Sequence, residues 1–196
     1  MARISFQSQN QSKKSHPMSK YPQGTAARSI EIALGEVGVV EEPENKVKYN
    51  NQNGLPWCGY FQDWIAKQNG LKMPSQIGTE LGAHKMKEIG RWVSDSPQAG
   101  DWVYLGWSGK GKIEHIGLVC KVAKDHVLTI EGNTSDKNQS NGGMVMIKKR
   151  AFDEHIIGFA RPKYVPYKGD MPVIGEPATI VSGAPKPTKK KGLLKK

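Results

Sequence analysis

Cysteine is scarce in this chain of 196 residues: Cys58 and Cys120 are the two it has. Two cysteines cannot build a disulfide-dense framework, although one Cys58–Cys120 bridge is open to them. No CxxC pair or paired histidine spacing accompanies them, which argues against a zinc site. No run of about 18 apolar residues occurs, so no transmembrane helix is expected. The opening residues Met1 to Gln7 lack the apolar stretch of a secretory signal. Work outside the cytoplasmic membrane would therefore need another route of delivery. There is no internal repeat.

Acidic residues are also short, but unevenly. The formal charge is +11. Residues 1–23 contribute +4 through Arg3, Lys13, Lys14 and Lys20, with no acid, and residues 166–196 contribute +5. The stretch between them is left with +2 and is nearly balanced. Basic ends favour a polyanion, either nucleic acid or an anionic cell envelope, and serve equally as solubilising tails. Residues 1–23, rich in Ser, Gln and Lys, read as a disordered arm. Residues 167–196, with Pro172, Pro177, Pro185, Pro187 and Lys189–Lys191, read as a linker and basic tail. One domain is expected between them, over residues 24–166.

What that domain has is a single change of period. Ala27, Ile30, Ala33, Leu34 and Val37 recur at helical spacing behind a capping Thr25, predicting a helix over 25–37 that ends at Gly38. A second helix is predicted from Trp57 to Asn69, with Phe61, Trp64 and Ile65 on its apolar face, and a third over 79–89. After Gly90 the pattern is that of strands: 102–105, 116–122, 127–131, 144–148 and 156–160. Helices first and an antiparallel meander after them make an α+β domain, with about five strands in a central sheet.

The reactive candidates fall at the ends of these elements. Cys58 stands at the predicted start of the second helix, where unpaired N–H groups and the helix dipole favour a thiolate, the nucleophilic form. The same N–H groups can face a developing oxyanion. Free cysteine is also a common buried apolar residue, so the position alone does not decide. A thiolate needs a base. His115 opens a strand in which His115, Gly117 and Val119 share one face, while Ile116, Leu118 and Cys120 share the other. Gly117 leaves space beside the imidazole. The next strand ends Ile130-Glu131-Gly132-Asn133-Thr134. Paired antiparallel with the first, it returns Glu131 beside His115, where the carboxylate can accept from the imidazole and fix its tautomer. Asn133 can hold the ring or bind a substrate carbonyl.

The segments Pro56-Trp57-Cys58-Gly59-Tyr60-Phe61, Gly100-Asp101-Trp102-Val103, Glu114-His115-Ile116-Gly117-Leu118-Val119 and Ile130-Glu131-Gly132-Asn133-Thr134 together resemble a CHAP domain, a cysteine- and histidine-dependent amidohydrolase/peptidase related to the NlpC-type, papain-like hydrolases. The likeness spans about Ala26 to Tyr164 and leaves out both ends. It implies a papain-like fold, and a tetrad of Cys58, His115, Glu131 and Asn133. It further implies cleavage of an amide in bacterial peptidoglycan, either the muramoyl–alanine bond or a peptide bond, as in lysins of phages of Gram-positive hosts. Such an enzyme is made in the host cytoplasm and reaches the wall through a holin pore, or is carried in the virion. Some relatives bind calcium through acids just before the cysteine. Here that stretch is Tyr49-Asn50-Asn51-Gln52-Asn53-Gly54, without a carboxylate, so neither metal nor other cofactor is expected.

Other features rank lower. Residues Gly106 to Lys112 mimic part of a phosphate loop, but Ile113 replaces the Ser or Thr that magnesium needs, and a strand follows. They read as an exposed hairpin loop; Trp107 in it, and Trp57 beside the nucleophile, are candidates for substrate contact. His84, His126 and His155 read as solvated or turn histidines, and Cys120 as core. A non-catalytic wall-binding or virion structural module is the rival reading. No motif for specific nucleic-acid recognition appears, and the basic ends suit anionic wall polymers.

Overall fold

The computed structural model describes residues 19–109 and 111–175. Three helices and six strands follow in order: α1 (Ala26–Leu34), α2 (Cys58–Gln68), α3 (Thr79–Glu88), β1 (Trp92–Val93), β2 (Trp102–Leu105), β3 (His115–Val122), β4 (His126–Thr134), β5 (Met144–Ala151) and β6 (Ile156–Ala160), with one 3-10 turn at Lys48–Asn50. The strands form a single antiparallel sheet in the order β1-β6-β2-β3-β4-β5. The class is α+β, as the period change predicts. The sheet has six strands because the two-residue β1 pairs with β6, a rung too short to register as a pattern in sequence.

Helix α1 is capped by Thr25, whose hydroxyl accepts from the Arg28 N–H at 3.2 Å, and it buries Ala27, Ile30 and Ala33. It ends at Leu34, three residues short of the predicted end. The chain leaves the helix early because residues 38–41 are drawn to the start of β5: Gly38 donates to the Val145 carbonyl at 2.9 Å, and Glu41 to that of Gly143 at 2.8 Å. Helix α2 buries Phe61, Ile65 and Ala66 against a core that includes Ile116, Leu118, Cys120, Leu128 and Ile130 from one face of the sheet. Gly132 is what lets the helix come so close. A Cβ there would stand 2.6 Å from the Trp57 ring and 2.9 Å from the Phe61 side chain.

The opposite face carries a second apolar cluster of Val103, Leu105, Val119, Val127 and Phe159. His115 pairs with Leu105 across β2 and β3, so it belongs to this face, as strand alternation requires.

Packing extends a few residues past 24 and 166. Tyr21 is buried and meets the Tyr167 ring edge-on at 6.2 Å, while Met171 and Ile174 pack against the main core. Flanking Pro and Lys residues obscured these apolar anchors. The rest of the expected arm and tail, 1–18 and 176–196, lies outside the described residues. Among the described residues no helix is long and apolar enough to cross a membrane.

Candidate active site

Cys58 is the first residue of α2. The N–H groups of Cys58, Gly59 and Tyr60 precede the first intrahelical bond, which Phe61 donates to the Trp57 carbonyl at 2.9 Å. Trp57, the N-cap, supplies no capping hydrogen bond. Its side chain is committed elsewhere: the indole N–H donates to Glu41 Oε2 at 2.5 Å, and the ring packs on Tyr49 at 5.4 Å. This anchors the helix tip. Trp57, a candidate for substrate contact, is 0% exposed.

His115 is fully enclosed, and its Nε2 lies 3.1 Å from Glu131 Oε2. Its Nδ1 is buried without a hydrogen-bond partner and is the nitrogen left for Cys58. Burial by itself would favour the neutral imidazole. The Cys58 sulfur and the Glu131 carboxylate outweigh it and hold the His115 pKa up at about 9. At neutral pH the ring is therefore an imidazolium between two acidic groups.

The placement of Glu131 follows from sheet register. Leu118 faces Ile130 and Val119 faces Thr129. Continued by one step, the register sets Glu131 opposite Gly117, two residues from His115 on the same face. The Glu131 side chain lies across the glycine to reach the imidazole, and a Cβ on Gly117 would meet Glu131 Cγ at 2.7 Å. The carboxylate is buried, which alone would favour its neutral form. Arg150 and His115 reverse this and hold it well below the usual carboxylate range. Arg150 Nε donates to Oε1 at 2.8 Å and Nη2 to Oε2 at 2.5 Å, and Thr129 Oγ1 adds a bond to Oε1 at 2.6 Å.

Asn133 is close in sequence but differently engaged. Its φ of 60° turns the end of β4. Its amide donates to Asn141 Oδ1 at 2.9 Å and accepts from the Gly143 N–H at 3.3 Å. It braces the 135–142 loop and makes no hydrogen bond to His115. Trp107 is half-buried, which corrects the expected exposed loop tip: its ring lies 5.9 Å from that of His115, with the Arg150 guanidinium 5.6 Å away. Glu114 fixes the loop by accepting from the Trp107 and Ser108 N–H groups at 2.7 and 2.9 Å.

Cys120 faces the core away from this group. Its thiol lies 3.2 Å from the Leu128 carbonyl, and burial pushes its pKa up to about 12. Both cysteines are free. Among the described residues, the side chains gathered closely enough for a cation are Asp153, Glu154 and His155, in the turn before β6, with donor atoms within 4.8 Å of one another. Asp153 and His155 already pair at 3.0 Å. Sequence reasoning missed Arg150 and the bracing role of Asn133. The register of β5 would have found the former.

An α+β fold that sets a helix-tip cysteine against a carboxylate-backed histidine defines a class of candidate thiol hydrolases. Residues 48–133 match the family model of the CHAP domain. The family is one of cysteine- and histidine-dependent amidohydrolases and peptidases of the peptidoglycan-hydrolase type. Among solved structures, the crystal structure of Ly7917 is similar over 70% of this chain and 62% of that one, at 16% sequence identity and a TM-score of 0.43. The chain thus spans less than two thirds of that structure's length. Comparison with curated proteins found no match.

Proposed function

We propose that this protein hydrolyses an amide bond of bacterial peptidoglycan by a thiol mechanism, as an N-acetylmuramoyl-L-alanine amidase or a peptidoglycan endopeptidase of the phage-lysin type. The observation that carries the reading is the enclosed Cys58–His115–Glu131 group inside the CHAP match.

In this mechanism Cys58 attacks the scissile carbonyl as a thiolate paired with the His115 imidazolium. A C–S bond forms as the carbonyl becomes an oxyanion, which the uncapped N–H groups at the start of α2 can receive. Collapse of the intermediate breaks the C–N bond, and His115 gives its proton to the leaving amine. Water then attacks the thioester with His115 as base, releasing the carboxylic acid and restoring the thiol. Glu131 keeps Nε2 protonated and the ring in plane. Trp107 shields one side of the imidazole, and Asn133 acts through the 135–142 loop. The enzyme acts at the cell wall, released through a holin pore or carried in the virion, and its basic ends attract anionic wall polymers.

The test is purified wall incubated with the full chain, followed by turbidity and by mass spectrometry of the soluble fragments. Falling turbidity is expected, with new peptide termini that name the bond. A wall-binding module would pellet with the walls, leave turbidity unchanged and release nothing.

A further inference from the structure

Arg150 has no place in the Cys, His, Glu, Asn pattern, and it lies beyond the matched residues 48–133. It is nonetheless 3% exposed and is the centre of the polar network behind the imidazole. In the β4–β5 register it faces Val127, four residues along β4 from Glu131 and on the same face. Its long side chain runs along the sheet to present two donors to the two oxygens of the carboxylate. The third nitrogen, Nη1, hydrogen-bonds to Gln139 in the 135–142 loop, and the guanidinium packs on Trp107, whose ring lies against His115. One side chain thus touches the carboxylate, the loop and the ring that covers the base.

We propose that Arg150 is a positioning residue of this site, which holds Glu131 as an anion with Oε2 aimed at His115 and so keeps the transferable proton on the imidazole. The inference rests on reading Cys58, His115 and Glu131 as the reacting group. Its physical basis is the fully enclosed setting of Glu131. A carboxylate without solvent favours the protonated form unless a cation is bound to it. His115 cannot serve throughout, because it gives up its charge when it protonates the leaving amine. Arginine keeps its charge at every step, and its planar fork fixes the plane of the carboxylate as well. Glu131 then never competes for the proton that the amine must receive.

The other charged or titratable groups do not substitute for it. Cys58 on α2 and His115 on β3 are the reacting pair. Cys120 on β3 carries a thiol held neutral by burial. Lys148 on β5, on the same face, donates to the Ser135 carbonyl and to Asp136 Oδ1, both at 2.9 Å. Asp153 and His155, in the β5–β6 turn beyond Arg150, bond to each other.

The experiment reads thiolate formation directly and needs no substrate. Full-length wild type, R150K, R150Q, E131Q and the double variant E131Q/R150Q are alkylated with iodoacetamide from pH 4 to 10. Modification of the Cys58 peptide is quantified by mass spectrometry, and folding is checked by circular dichroism. In R150Q the alkylation midpoint should rise by about one unit or more, the range expected when an opposite charge is removed from a coupled site. R150K, which keeps the charge, should retain the wild-type midpoint. The double variant should match E131Q, since Arg150 acts through Glu131; this comparison stands even if R150Q alone folds poorly. A wild-type midpoint in R150Q, or a double variant displaced further than E131Q, would overturn the inference. Wall hydrolysis measured in parallel judges the hydrolase reading separately, because alkylation does not depend on what the enzyme cuts.

Discussion

Replacing Gly117 with alanine adds one methyl group at the most confined point of the site. The new Cβ would stand 2.7 Å from Glu131 Cγ, where ordinary contact begins at 3.4 Å, so the two must separate by about 0.7 Å. The strand cannot supply this movement, since β3 is hydrogen-bonded to β2 on one side and β4 on the other. The Glu131 side chain has to give way, and its carboxylate is tied to Arg150, Thr129 and His115. The weakest of these ties is the 3.1 Å bond to His115, which a shift of that size carries beyond hydrogen-bonding range. Overpacking of this kind costs about 1–3 kcal/mol. Misplacing a group that aligns the reacting atoms by about 1 Å lowers rates by up to about 100-fold. Gly117→Ala should therefore fold with a melting temperature several degrees lower and hydrolyse purified walls about 10- to 100-fold more slowly. Initial rates of turbidity loss, with thermal melts on the same samples, measure both. Wall hydrolysis within twofold of wild type would refute the proposed dependence on the Glu131–His115 alignment.

His115 has a folded pKa near 9, above its unfolded value near 6.5, so its stabilising contribution is complete below about pH 6.5 and lost as pH rises through about 9. Melts of wild type should fall across that window more steeply than those of His115→Ala, and wall hydrolysis should decline above about pH 9 as the imidazolium is lost; parallel melting curves would contradict the assigned shift. Asp101 is buried and accepts from Arg161 at 2.8 and 2.9 Å and from the Gln98 N–H at 2.8 Å, joining the start of β2 to the end of β6. Asp101→Ala should cost about 2 kcal/mol by chemical denaturation, the buried-pair figure reduced because Arg161 is partly exposed, with wall hydrolysis at low temperature unchanged. A large loss of rate without loss of stability would place Asp101 in the chemistry instead. Because Cys120 is buried and its thiol is pushed up to about 12, limited iodoacetamide at pH 7 should label Cys58 and spare Cys120; equal labelling would contradict the core assignment.

The site was legible where side-chain type, alternation and element ends coincide. The Cys58 position follows from a helix start, and the shared face of His115 and Gly117 follows from strand period. Glu131 follows from antiparallel return, a step that also places its side chain over Gly117. The register of β5 on β4, set across the 135–143 loop with a shift between Glu131 and Thr134, was not legible, and it hid Arg150. The run Ile147-Lys148-Lys149-Arg150 looks like a solvated strand, yet Lys148 and Arg150 are buried while Met146 and Ile147 are only partly so. Their burial depends on carboxylate and carbonyl partners contributed by β4 and the loop after it. The enclosure of Trp57 by Tyr49, Phe61 and Glu41 was not legible either, because these contacts come from separate segments. The early end of α1 likewise reflects a tertiary pull, from the edge of β5, that helical periodicity does not contain.

Whether the Cys58 sulfur does the chemistry with His115 as its partner is decided by comparing the soluble fragments that wild type and Cys58→Ala release from purified peptidoglycan at equal concentration. The alanine variant should fold and bind walls as wild type does, yet release no fragments above the enzyme-free control. Release at the wild-type rate by that variant would contradict the account.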